Sequence, residues 1–136
     1  NNYEASVLIG EPVNTKQKAI KALPALCAKG VKVAIITGID TNRSIQTVAR
    51  DEIGTWSVST PKISVASSGA GDLFSALFLA KYLDGNSTPY ALSYAISAVY
   101  GVLGVAQELS TPDLPIVAAQ ELILSPQKHF PAVSIT

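Results

Sequence analysis

Apolar and polar positions alternate along the chain with two different periods. From Lys16 to Gly30 the period is helical: Ala19, Leu23 and Leu26 fall on one face, Thr15 stands where an N-cap is needed, and Gly30 stands where a helix stops. Pro24 lies inside this pattern and predicts a kink or a broken turn, because proline lacks an N–H and crowds the preceding turn. Val31 to Gly38 then forms a nearly continuous apolar run that ends in Thr37-Gly38. Such a run suits a strand of a parallel sheet covered on both faces. Helix, tight glycine turn and buried strand make half of a βαβ unit.

Ile39 to Glu52 is polar and mixed, and no element is predicted there. Thr55 to Thr60 alternates and predicts a half-buried strand, and Pro61 to Ser68 a loop or short strand. Gly71 to Leu83 is apolar almost all round, which predicts a helix buried on most sides. Asp84-Gly85-Asn86 ends it, and a second apolar helix follows from about Pro89 to Gln107. Leu109 to Pro115 reads as a loop. Ile116 to Leu124 is apolar without a period that decides its type, and the last dozen residues read as an edge strand or tail. No internal repeat or low-complexity tract is present.

Composition changes this picture in two ways. At 136 residues, one domain is expected, yet the chain is 48% hydrophobic and only 15% charged. Small domains expose proportionally more surface, so this balance implies that apolar surface meets another subunit or the rest of a larger domain. The opening Asn1-Asn2-Tyr3-Glu4 has no initiator Met and no signal-peptide pattern, and supports the second expectation. The formal net charge of zero gives no electrostatic basis for binding nucleic acid or an acidic membrane surface.

Gly85 to Gln107 carries no charge and is long enough to span a bilayer. Ser87-Thr88-Pro89 opens it as a helix start, and Ser93, Ser97, Gly101 and Gly104 dilute it, so a core helix is expected instead. Cys27 is the only cysteine, which excludes a disulfide within the chain and points to a reducing, cytoplasmic setting. It reads as a small core residue, His129 as structural or solvated, and no His/Cys cluster suggests zinc.

The segment with chemistry is Ser67-Ser68-Gly69-Ala70-Gly71-Asp72-Leu73-Phe74. A carboxylate beside an apolar helix is costly unless it is paired or used. Asp72 could cap the helix, and the glycines could form an ordinary tight turn. Alternatively, Gly69-Ala70-Gly71 brings successive backbone N–H groups together at a helix start, which suits phosphate oxygens or the charge that builds during phosphoryl transfer. Asp72 would then accept the proton of an attacking hydroxyl. No Gly-Lys-Ser/Thr follows, and no third glycine completes G-x-G-x-x-G, so neither common nucleotide motif applies.

With its neighbours, SGAGDLFSALFLA resembles the signature of the ribokinase superfamily of small-molecule kinases, and within it the pyridoxal kinase family. Asn1-Asn2-Tyr3-Glu4-Ala5 with Leu8-Ile9-Gly10 resembles that family's Asn-x-x-Glu segment, and Pro126-Gln127-Lys128-His129-Phe130 with the closing tail resembles its C-terminal end. The resemblance covers nearly the whole chain. It implies a three-layer α/β/α ribokinase-like fold with a mostly parallel central sheet. Residues 1–136 would be the C-terminal, nucleotide-binding part of a single kinase domain whose N-terminal half is absent.

By position, the resemblance assigns Asp72 as the catalytic base and Gly69, Ala70 and Gly71 as the anion hole. It places Thr37 and Gly38 near the nucleotide phosphates, Glu4 and Asn1 at Mg²⁺, and the Pro89–Gln107 helix along part of the adenine pocket. It implies ATP-dependent phosphorylation of the 5′-hydroxyl of pyridoxal, pyridoxine or pyridoxamine, with Mg²⁺ and a monovalent cation such as K⁺ as cofactors and a homodimer as the complete protein. A hydroxymethylpyrimidine kinase of the same superfamily is the enzymatic alternative; a non-catalytic nucleotide-binding or dimerisation module is the other. Two departures stand out. Ala70 occupies a position where many relatives have Thr, and Gly38 one where some have Ser.

Overall fold

The computed structural model describes residues 1–135. In chain order the elements are α1 (Asn2–Ile9), α2 (Lys16–Cys27), β1 (Ala34–Asp40), β2 (Ser44–Arg50), β3 (Thr55–Pro61), α3 (Ala70–Leu83), α4 (Thr88–Leu109), α5 (Gln120–Leu124) and β4 (Val133–Ser134). They group into two compact units: Asn1–Pro61 with the C-terminal segment from Ala132, and Lys62–Pro131.

In the first unit both helices begin at side-chain caps. Asn1 and Glu4 form a capping box at α1, and Thr15 accepts from the Lys18 N–H at 3.2 Å at α2. Gly10, at φ 80°, ends α1. Of the expected kink or broken turn, the broken turn does not occur: α2 runs through Pro24 to Cys27, and the Pro24 carbonyl accepts from Ala28 at 2.9 Å. Pro24 sits near the C-terminal end on an exposed position, where the one lost bond is tolerated. Ala19, Ala22 and Leu23 are buried with Ile36, Ile39 and Val48 in one apolar cluster, against which Leu26 and Cys27 pack.

The sheet corrects two expectations. Its four strands run in the order β1-β2-β3-β4, and every pair is antiparallel, so the parallel sheet inferred from the Val31–Gly38 run is not formed among the described residues. The connections decide this: only Thr41–Arg43 and Asp51–Gly54 separate the first three strands, whereas parallel neighbours need a crossover of about a dozen residues or more. Both connections are turns built by aspartates. Asp40 accepts from the Asn42 N–H at 2.9 Å, and Asp51 accepts from Ile53 at 2.7 Å and Gly54 at 3.0 Å.

The continuous apolar run has a different cause. The β1–β2 register shifts between Ile36 and Ile39, with Gly38 at φ 72° inside the irregularity. Ile36 and Ile39 are three apart and would face opposite ways in a regular strand; the bulge resets the phase and buries both. The second correction is β2, which lies in the stretch where no element was predicted. Gln46 is satisfied across the sheet, its Nε2 donating to Ser59 Oγ at 2.7 Å, and Thr47 is buried. The Thr55–Thr60 strand and the C-terminal edge strand occur as expected, as β3 and β4.

In the second unit α4 starts at the Ser87 cap with Pro89 in its first turn. It is long and apolar enough to cross a membrane, but Ala91, Ala95, Ala98, Val102 and Ala106 form a buried stripe at helical spacing. Phe130, near the end of this unit, is pinned to α4 by Ser93 Oγ, which donates to its carbonyl at 2.6 Å, and by Ser97 Oγ, which accepts from its N–H at 3.0 Å. The undecided stretch 116–124 ends in the short α5. α3 departs from its expectation of burial on most sides. Phe74 and Phe78 are buried, whereas Leu79 is 53% and Leu83 is 73% exposed. A helix apolar all round needs neighbours all round, and within this chain one face of α3 has them.

Replacing Leu23, which is fully buried, with Ala should destabilise the chain by about 2–5 kcal/mol in denaturant unfolding. Leu83→Ala, on the exposed side of α3, should change stability by no more than about 0.5 kcal/mol.

Candidate functional site

The start of α3 differs from the starts of α1, α2 and α4. Those three accept a side-chain cap from Asn1, Thr15 and Ser87; α3 has none. Its N-cap residue is Gly69, in the left-handed conformation at φ 96° and ψ −3°. The Gly69 carbonyl accepts from Leu73 at 3.0 Å and closes the first helical turn. Among the described residues no protein acceptor is found for the N–H groups of Gly69, Ala70, Gly71 or Asp72. These are the orphan donors of a helix N-terminus, aligned with the positive end of its dipole, and together they can hold an anion.

Glycine serves two different purposes here. Gly69 needs its freedom for the positive φ, and a Cβ there would lie 3.5 Å from Leu114 Cδ1. Gly71 is helical, and a Cβ there would meet nothing within 4 Å. Glycine inside a helix costs roughly 1 kcal/mol relative to alanine. No neighbour within the chain requires it at residue 71; the space above it is open to a group approaching the backbone.

Asp72 sits in the first turn of α3 and is exposed. Among the described residues no hydrogen bond or ion pair engages its carboxylate, so it is not used as a side-chain cap. A carboxylate there gains from the helix dipole and stands beside the open amides, a position suited to taking a proton from a group held by them. The preceding loop borders a recess of about 290 Å³, lined by Ser64, Val65, Ala66, Ala106, Gln107 and Thr111. Gln107 Nε2 donates to the Ser64 carbonyl at 3.2 Å across it. Ser67, between Ala66 and the glycine turn in sequence, has its Oγ sealed from solvent without a partner among the described residues.

The other expected site residues meet in the first unit. Thr37 and Gly38 lie in the β1 bulge, and a Cβ on Gly38 would be 3.8 Å from Asn1 Cβ. The bulge therefore lies beside the N-terminus of α1, where Asn1 Oδ1 accepts from the Glu4 N–H at 3.0 Å and Glu4 Oε2 accepts from the Asn1 backbone nitrogen. The Glu4 side chain is 67% exposed. Among the described residues no group of three or more His, Cys, Asp or Glu gathers as a metal cluster. One exposed carboxylate is no all-protein cage. It does fit a hydrated Mg²⁺ that takes its remaining ligands from phosphate and water.

Sequence reasoning passed over Gln107, Pro112 and Leu114. The only signal they offered was a pair of prolines around Asp113-Leu114, which marks a stiff loop and no more.

A family model described as phosphomethylpyrimidine kinase matches residues 1–116. The pyridoxal kinase PdxY of Vibrio vulnificus is 31% identical over 140 residues, which cover 100% of this chain and 48% of that protein. That of Rubrobacter xylanophilus is 32% identical over 136 residues, 96% of this chain and 47% of its own. Among solved structures, a putative phosphomethylpyrimidine kinase from Bacteroides thetaiotaomicron superposes with a TM-score of 0.89 at 21% identity, over 99% of this chain and 50% of its own. Plasmodium falciparum PdxK with AMP-PNP and PL superposes with a TM-score of 0.84 at 25% identity, over 100% and 48%. The fold is thus the ribokinase-like α/β fold, and the chain spans about half the length of the relatives it matches.

The two glycines should separate in unfolding experiments. Gly69→Ala should lose about 1 kcal/mol or more, because alanine resists the left-handed conformation. Gly71→Ala should gain up to about 1 kcal/mol. Equal losses at both positions, measured by urea denaturation, would mean that Gly71 is needed by the fold itself.

Proposed function

Because the chain belongs to the phosphomethylpyrimidine kinase family, we propose that it forms the nucleotide-binding part of a kinase that transfers the γ-phosphoryl of ATP to the 5′-hydroxyl of pyridoxal, pyridoxine or pyridoxamine. One observation carries the reading: four open backbone amides, Gly69 to Asp72, beside an exposed carboxylate with no partner among the described residues. The names of the relatives, pyridoxal kinase PdxY, and the AMP-PNP and PL in the Plasmodium structure support the substrate pair.

In this reading the vitamer's hydroxyl gives its proton to the Asp72 carboxylate as its oxygen attacks the γ-phosphorus. The bond to the bridging oxygen breaks, and ADP leaves. The amides of Gly69, Ala70 and Gly71 hold the equatorial oxygens while charge accumulates on them, and little else is required of the protein beyond positioning. Ala70 contributes only its backbone here. Glu4, with Asn1 beside it, is the candidate to hold Mg²⁺, which when bound neutralises charge on the phosphates. Thr37 and Gly38 are further candidates for contact with the nucleotide phosphates. The recess between Ser64–Ala66 and the C-terminal end of α4 is the candidate for the base. A hydroxymethylpyrimidine is the second candidate acceptor, favoured by the description of the matched family model and by the Bacteroides neighbour.

Asp72→Asn in the complete protein should lower kcat by about 10²–10⁴-fold while ATP affinity stays within a few-fold. Unchanged turnover would remove Asp72 from the mechanism; a wild-type protein that binds ATP and phosphorylates neither B6 vitamers nor hydroxymethylpyrimidine would leave a nucleotide-binding module. The 136-residue chain alone should transfer no phosphate above background, since the reading assigns it no acceptor pocket; vitamer phosphorylation by the purified chain would contradict that.

A further inference from the structure

An uncapped helix start ordinarily frays, because its first N–H groups have only water to bond. A side-chain cap would order the turn but would consume an amide that the proposed phosphoryl site needs. Something else must hold Gly69 in place with its donors free. The structure offers one segment for this, Thr111–Pro115, which follows the C-terminal end of α4.

Three contacts join that segment to the turn. The Ser68 N–H donates to the Pro112 carbonyl at 3.3 Å. Ser68 and Asp113 form an isolated parallel bridge. Leu114 flanks Gly69, its Cδ1 3.5 Å and its Cγ 3.8 Å from where a Cβ would stand. Among the described residues, the only amide of the turn consumed in this way is that of Ser68, one residue before the open set.

The segment is itself anchored. The Thr111 N–H donates to the Ala106 carbonyl at 3.2 Å, and the Asp113 N–H to Thr111 Oγ1 at 3.3 Å. Pro112 and Pro115 fix φ on either side of Asp113-Leu114. Ser110, left-handed at φ 51°, turns the chain from α4 into it.

We propose that Thr111–Pro115 is a strap that replaces the missing cap of α3, and that Leu114 is a positioning residue. By filling the space beside Gly69 it keeps the amides of residues 69–72 aimed at one point without bonding any of them. The catalytic part of this inference rests on the kinase reading; the structural part does not. Misplacement of reacting groups by about 1 Å can cost about a hundredfold in rate, so a loosened turn should be visible in turnover.

The test compares wild type, Leu114→Ala and Leu114→Met in the complete protein. Two readouts are taken: kcat and KM for ATP with pyridoxal, and hydrogen exchange at the Ser68 and Leu73 amides, the two bonded amides that flank the open set. Leu114→Ala should lower kcat about tenfold or more, with KM for ATP changed less than about threefold. It should speed exchange at Ser68 and Leu73 about tenfold while the Val102 amide in α4 is unaffected. Leu114→Met, which refills the space, should restore both. Should Leu114→Ala not fold, Leu114→Val takes its place with the same signs expected. Exchange at Ser68 and Leu73 within twofold of wild type overturns the strap. Faster exchange with unchanged kcat overturns the positioning role. A wild type without kinase activity defeats the kinase reading, and exchange alone then judges the strap.

Discussion

Everything chemical in this chain depends on the way α3 begins. A helix N-terminus leaves several N–H groups without partners, and most helices here cover them with an Asn, Thr or Ser side chain. At α3 a left-handed glycine takes the cap position and offers no side chain. The result is a set of donors at the positive end of a helix dipole, with a carboxylate in the same turn. A donor set of this kind is worth most where its geometry exists before the charge arrives. Burial of Phe74 and Phe78 anchors the first turns of α3, and Leu114 flanks Gly69 from within the same unit.

The first unit uses a different device to present backbone. The bulge at Thr37–Gly38 keeps Ile36 and Ile39 both in the core and, as a consequence, lifts Gly38 toward the capping box of α1. Position and burial are coupled there: a regular strand would turn Ile39 to the other face and withdraw Gly38 from Asn1. Two helices also keep apolar side chains on faces that this chain leaves open, Tyr3 and Val7 on α1 and Leu79 and Leu83 on α3. These faces agree with the low charge of the composition and with the half-length match to the relatives.

Much of the site was legible because it is local. Gly69-Ala70-Gly71-Asp72 followed by an apolar run specifies a turn, a helix start and an acid beside it from adjacent residues alone, and Thr15 and Ser87 mark their helices in the same way. Asn1 and Glu4 are three residues apart and form their capping box through neighbouring backbone. The helices α2, α3 and α4 and the strands β1 and β3 follow from such short-range patterns.

Tertiary structure decided what depends on distant partners. The apolar run of β1 reads as parallel strand because period alone cannot reveal a bulge; only pairing with β2 shows the phase change. β2 was invisible because Ser44, Gln46 and Thr47 are polar, and the partner that satisfies Gln46, Ser59 on β3, lies thirteen residues further along the chain. Leu114 lies more than forty residues from Gly69, so no local pattern could join them. The sequence by itself determined where backbone donors and a carboxylate would stand together. The fold decided what holds them still, because packing across such separations is chosen by the whole chain and not by any short stretch of it.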